Sequence, residues 1–295
     1  MSTLGGPAVT VQNSAVRPGI PGLIAEGLRE SLSRRQLIRY LVHADLRKKG
    51  SDTVLGNVWW VLDPLLQMAV YVVLVSVIFA RSQPDYPLFV FAAILPWKWF
   101  TSSVADSITS VVGQGNLIRQ LQFPKIVLPV AATVAGIVSF AFGLIPLLGL
   151  LVLFYLDRLS ANLLLLPLIA VVQLVFTLAV ALVLAAVNVF LRDVGNIARH
   201  ALRLWFYLSP GLYAIEQLEE SKVLASHPLA LEILKANPFA ILFSAYRAVI
   251  YGTPGGGPQA PDWVPLGTLL AISLVLVLAA VALFKRLEPS FAKVL

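Results

Sequence analysis

The chain has 295 residues, 58% of them hydrophobic and 13% charged, with no cysteine and a formal net charge of +7. Soluble domains carry roughly 25% charged residues, so this composition excludes an ordinary water-soluble protein and points to side chains solvated by lipid. The lack of cysteine removes disulfides and thiolate chemistry, and three scattered histidines, His43, His200 and His227, leave no metal-ligand spacing.

Residues 1–32 are rich in Gly and Pro towards their start and read as a flexible cytosolic tail, with no apolar core of a cleavable signal peptide. Ser33 is expected to cap a helix running to about Lys49. Leu37, Ile38, Leu41, Val42 and Leu46 share one side of it, and Gln36, Arg39, His43 and Arg47 another. That pattern predicts an amphipathic interfacial helix whose apolar face sinks among membrane lipids; with the residues that follow it forms a unit over 33–60. Hydropathy then predicts six spans at about 62–80, 88–112, 126–156, 163–191, 197–215 and 263–284, within a bundle over 61–287 and ahead of a short tail, 288–295. The fold class is therefore an all-α integral membrane protein.

Between the second and third spans, Asn116 caps a short helix that stops at Pro124, with Leu117, Leu121 and Phe123 as apolar knobs for its own bundle or for a groove on another protein. The longest external segment, about 216–252, carries a second strong signal. Asn237 is a good N-cap, Pro238 suits the first helical position, and Gly252 can end a helix too short to span, which dips into the outer leaflet and returns. Sixteen Lys and Arg fall on the side of the chain ends and five on the other, so the positive-inside rule places both termini in the cytoplasm. Orientation explains the net charge without a nucleic-acid partner.

No phosphate-cradling G-x-x-x-x-G-K-[ST] run is present, nor a Ser, His and Asp set arranged for nucleophilic catalysis. Lys98 and Asp106 fall inside predicted spans, where both can reach an interface. Trp97, Trp99, Phe100, Tyr207 and Tyr213 gather near span ends. They read either as an interfacial belt or as a channel whose rings stack on sugar faces.

The order of motifs resembles the membrane subunit of type-2 ABC exporters of polysaccharide, O-antigen and teichoic acid. The matching residues are Leu55-Gly56 with Trp59, Leu62 and Pro64; Pro96-Trp97 with Phe100; Asn116-Leu117-Ile118 continuing to Phe123-Pro124-Lys125; and Arg192-Asp193. Ser209-Pro210 with Tyr213, then Asn237-Pro238 with Tyr246-Arg247 and Gly252, complete the order. Ala92-Ala93 and Lys98 depart from it. The resemblance implies a homodimer in the bacterial plasma membrane, joined to two copies of a separate ATPase that binds ATP and Mg, with no cofactor in this chain. It further implies that Asn116, Leu117, Ile118, Arg119, Leu121, Phe123, Pro124 and Lys125 dock on the ATPase beside the surface helix bearing Arg39, His43 and Arg47. Asn237, Pro238, Tyr246 and Arg247 would belong to an external gate, and the cargo would be a lipid-linked glycan. A drug or lipid efflux permease shares this topology. A membrane glycan polymerase or transferase is the reading of another class, with Glu216, Glu219 and Glu220 as its sole acidic cluster, which also reads as the solvated face of a helix.

Overall fold

The computed structural model describes residues 18–50, 55–79, 84–215, 227–253 and 256–295, without the side chains of Gly50, Asn57, Leu117 and Pro228. The expectations for residues 1–17 and for Glu216, Glu219 and Glu220 lie outside the described residues.

The chain folds as helices α1 (Ile20–Ser33), α2 (Arg35–Gly50), α3 (Trp59–Val72, continued by a wider-wound Val73–Ile78), α4 (Tyr86–Ser110), α5 (Gly115–Gln120) and α6 (Val127–Phe154). It continues with α7 (Leu166–Phe190), α8 (Val194–Leu208), α9 (Pro228–Lys235), α10 (Pro238–Ile250) and α11 (Trp263–Val294). Among the described residues, five stretches are long and apolar enough to cross a membrane: Trp59–Ile78, Tyr86–Ser110, Val127–Phe154, Ala161–Phe190 and Trp263–Val294. The chain is a multi-pass membrane protein.

α4 is the axis of the bundle. Leu88, Val90, Phe91, Ala92, Ala93, Ile94 and Phe100 along it are fully buried, enclosed by α3, α6, α7 and α10. Helices in lipid gain little from burying apolar area against each other, so close backbone approach decides their packing. Gly136 and Gly143 of α6 provide it: an added Cβ would lie 1.9 Å from Ser103 Oγ at the first and 2.2 Å from Leu95 at the second. Gly149 meets nothing within 4 Å. Polar cross-braces complete the core: Gln173 Nε2 donates to Pro96 O at 2.7 Å, and Asn188 Nδ2 donates to Ile108 O at 2.9 Å.

Four sequence expectations change here. Residues 20–32 form most of α1, held against α11 with Gly27 seated on Val281, so the ordered chain begins well before Ser33. Ser33 caps nothing: it closes α1 and its hydroxyl donates to Glu30 O. The apolar face of α2 packs on Ala131, Val134 and Ala135 of α6 instead of lying in lipid, while Arg39, His43 and Arg47 are exposed as expected. The C-terminal tail is helical, because α11 runs on to Val294.

The fifth span is the largest departure. α8 has 15 residues, about 22 Å of helix against a hydrocarbon core of about 30 Å. By length alone it does not cross.

Candidate functional site

The end of α8 meets the start of α10. α9 and α10 meet at a bend of 57°, and α10 lies inside the bundle, with Phe239, Leu242, Phe243 and Val249 fully buried against α4 and α7. Its start meets the end of α8. Asn237 Oδ1 accepts from Phe239 N–H at 3.0 Å, as its N-cap role requires, and also from Trp205 Nε1 at 3.0 Å, while Asn237 Nδ2 donates to Ser209 Oγ at 2.8 Å. Two half-length helices thus join tip to tip within the bundle.

A broken crossing exposes backbone carbonyls that lipid cannot satisfy. Arg247 of α10 meets that need. Its guanidinium donates to Pro210 O at 2.6 Å, Gly211 O at 2.6 Å, Tyr213 O at 3.3 Å and, from α4, Phe89 O at 3.2 Å, and it lies 3.6 Å from the centre of the Phe89 ring. The fork geometry of Arg, with five donors, fits this convergence and a Lys does not. Tyr246 is buried beside it, with its ring edge-on to Phe140. Gly252 ends α10 at φ +76°, where a Cβ would lie 2.2 Å from Gly257 O. Just beyond, Arg158 is buried and donates to Tyr251 O at 2.9 Å, Thr253 O at 3.0 Å, Gly256 O and Asp85 Oδ2 at 3.0 Å. It ties three connections together at the end of the bundle opposite α1 and α5.

A cleft of about 440 Å³ opens between α3, α4 and α8. Its walls hold Gln67 and Tyr71, then Trp97, Lys98 and Thr101, then Arg199, Arg203, Phe206 and Tyr207. Rings and cations thus share one cavity. Tyr207 is 54% exposed, whereas Trp97 is nearly covered by Phe206, Phe239 and Trp205 and reaches the cleft only at an edge. Lys98 pairs with Asp63 of α3, and Asp106 pairs with Lys49 of α2 at 2.6 Å, so neither charge needs to reach bulk water. Burial would lower the Lys49 ammonium, yet Asp106 and Asp45 outweigh it and hold it above its ordinary value.

The remaining predicted channel residues face elsewhere. Phe100 is fully buried among Phe176, Trp205 and Phe239. Trp99 stacks on Phe140 at 4.7 Å and touches Gly136, and Tyr213 belongs to the α8–α10 break. Ring residues on one helix turn point in different directions, which ring type alone does not reveal.

The short helix after α4 is α5, which starts at Gly115, so Asn116 lies inside it and caps nothing; Leu121 to Pro124 then run on without helix. Ile118 is buried in a core cluster with Val111, Phe284 and Phe291, and Phe123 packs half-buried against the same cluster. Asn116, Arg119, Leu121 and Gln122 are exposed, with Leu121 at 55%.

The family model described as ABC-2 type transporter matches residues 36–251, from α2 to the end of α10. The chain belongs to the ABC-2 type transporter family. An O-antigen export system permease protein from Myxococcus xanthus is 33% identical over 266 residues, 90% of this chain and 98% of the relative. A protein of the same name from Klebsiella pneumoniae is 25% identical over 264 residues, 88% of this chain and 95% of the relative. Within the ABC-2 match lie α5, the cleft and both half-helices; α1 and α11 lie outside it.

Two members of this ABC-2 arrangement were missed in the sequence. Asn188 ties α7 to α4 and also accepts from Gly195 N–H at 3.2 Å, shaping the corner where Arg192 and Asp193 stand exposed. Arg158 was counted only as an external charge. A lone polar residue beside an apolar run was the available signal in both cases.

Proposed function

We propose that this chain is the permease subunit of an ATP-driven exporter of a lipid-linked polysaccharide of the O-antigen type. It works as a homodimer with two copies of a separate ATPase that binds ATP and Mg, in the bacterial plasma membrane with both termini cytoplasmic. The observation that carries the reading is the cleft between α3, α4 and α8. Tyr207, Tyr71 and the edge of Trp97 offer ring faces for sugars, and Arg199 and Arg203 offer charge to a phosphate-linked lipid. A purely apolar cavity, as a drug efflux path prefers, does not fit these walls. The printed names of the relatives support the same cargo class.

The walls also support a second copy. Leu66 and Val70 of α3 and Leu204 and Leu208 of α8 are exposed, and a partner subunit would cover them and close the cleft into a path. ATP binding would draw the two ATPases together, push the segments at 115–125 and shift the spans as rigid bodies. Of that segment, Leu121 is the knob offered outward and Ile118 the anchor held inward.

The test is depletion of the protein in its native cell, with lipid-linked glycan followed by a label that cannot cross the membrane. Full-length polymer trapped inside is the expected result. Normal surface polymer would overturn the export reading, and loss of polymer synthesis would favour a glycan enzyme.

A further inference from the structure

Beyond the family-matched residues, α1 and the end of α11 meet the segment 115–125 in one charged knot. The Lys285 side chain is 7% exposed, and its Nζ pairs with Glu26 Oε1 at 2.9 Å, Glu30 Oε2 at 2.8 Å and Glu288 Oε2 at 2.8 Å. The other oxygen of Glu288, Oε1, accepts the backbone N–H of Lys125 at 2.6 Å. Glu288 therefore faces two ways: towards the lysine of its own helix, and towards the backbone where the segment ends and α6 begins.

The three carboxylates are not equivalent. Glu26 and Glu30 are 45% and 25% exposed and come from α1, whose one buried residue is Gly27. Burial pushes the Glu30 carboxyl above its ordinary value although Lys285 pulls the other way. Losing that tie would still leave Lys285 with Glu288. The Lys125 N–H is another matter. It stands just ahead of the start of α6, where backbone donors lack partners within the helix and a carboxylate is favoured by the helix dipole. A short bond from a backbone donor to a buried carboxylate is among the strong ones.

We propose that Glu288 is a positioning residue that makes the segment 115–125 and the end of α11 move as one unit. A push on the segment then reaches two spans: α6 through the chain, and α11 through this carboxylate. α11 lies along α7, which carries the displacement to the core. The inference rests on the reading that the segment docks on an ATPase.

Because this chain has no cysteine, Gln122→Cys and Ala292→Cys, both lining the cleft between α1, the segment and α11, can be spin-labelled in the purified permease before unlabelled ATPase is added, with one doubly labelled subunit per dimer. The distance is measured in the full permease–ATPase assembly, without nucleotide and with ADP–vanadate. In the parent it stays single and unchanged between the two states. In Glu288→Ala it shifts or broadens on trapping, and surface glycan falls about tenfold, within the range of residues that carry coupling. Glu288→Gln, which keeps an acceptor for Lys125 N–H, restores the parental distance. Lys125→Pro removes the donor from the opposite side while leaving the Lys285 knot intact, and it should reproduce Glu288→Ala even if that variant folds poorly. An unchanged distance with parental export in both Glu288→Ala and Lys125→Pro overturns the proposal. A parent permease that fails to retain the ATPase on affinity resin instead overturns the docking reading, and the proposal with it, before any distance is measured.

Discussion

α3 and α4 are both long apolar helices, and α3 is the more apolar of the two. Yet 78% of the most apolar stretch of α4 is buried inside the protein against 6% of that of α3. Lipid solvates apolar side chains as well as protein does, so apolar character cannot sort a helix to the centre. What sets α4 apart is small and polar residues turned to several neighbours at once: Ala92 and Ala93 for close approach, Ser103 and Ser107 facing α6, and Pro96 O receiving Gln173. α3 instead presents Leu66, Val70, Val73 and Val77 outward, where lipid or a second subunit meets them.

The difference can be broken at the helix contacts. Gly136→Leu should have the largest effect, because even its Cβ overlaps Ser103 Oγ; no folded protein is expected by size-exclusion chromatography in detergent. Arg247→Lys comes next. It strands several carbonyls of 210–213 and Phe89, at about 1–3 kcal/mol for each group left unpaired, and the loss should appear as earlier unfolding in a denaturant titration. Phe100→Ala should cost about 3–5 kcal/mol, the range for truncating a fully buried ring. The same truncation on α3 sharpens the contrast: Val70→Ala should move the unfolding midpoint of the isolated subunit by less than about 0.5 kcal/mol. If Val70→Ala matches Phe100→Ala in the monomer, the account of α3 as a peripheral helix is wrong.

This contrast also marks where the sequence could be read. The five long spans fall close to where hydropathy places them, except that α11 runs on past the predicted end, and α10 is capped by Asn237 and ends before Gly252 because capping is written in local residue types. The α8–α10 junction was not legible. Its halves lie far apart in the chain, and the signals that join them, Asn237 to Ser209 and Arg247 to the carbonyls of 210–213, are contacts no periodicity reports. The order of α1 was hidden for a similar reason: its hold is Gly27 on Val281 and two glutamates on Lys285, a partner some 255 residues away. In the candidate site, Trp97 and Tyr207 could be named, but Arg199 and Arg203 were not, and the direction of each ring could not be read.

The α8–α10 junction depends on parts of the chain made both before and after it. Neither half is long enough to hold a place in a bilayer alone, and the buried guanidinium of Arg247 has no partners until α4 offers Phe89 O and the 210–213 turn has formed. α10 also packs on α11, which the ribosome makes after it. α10 therefore reaches its full set of packing contacts only once α11 is in place.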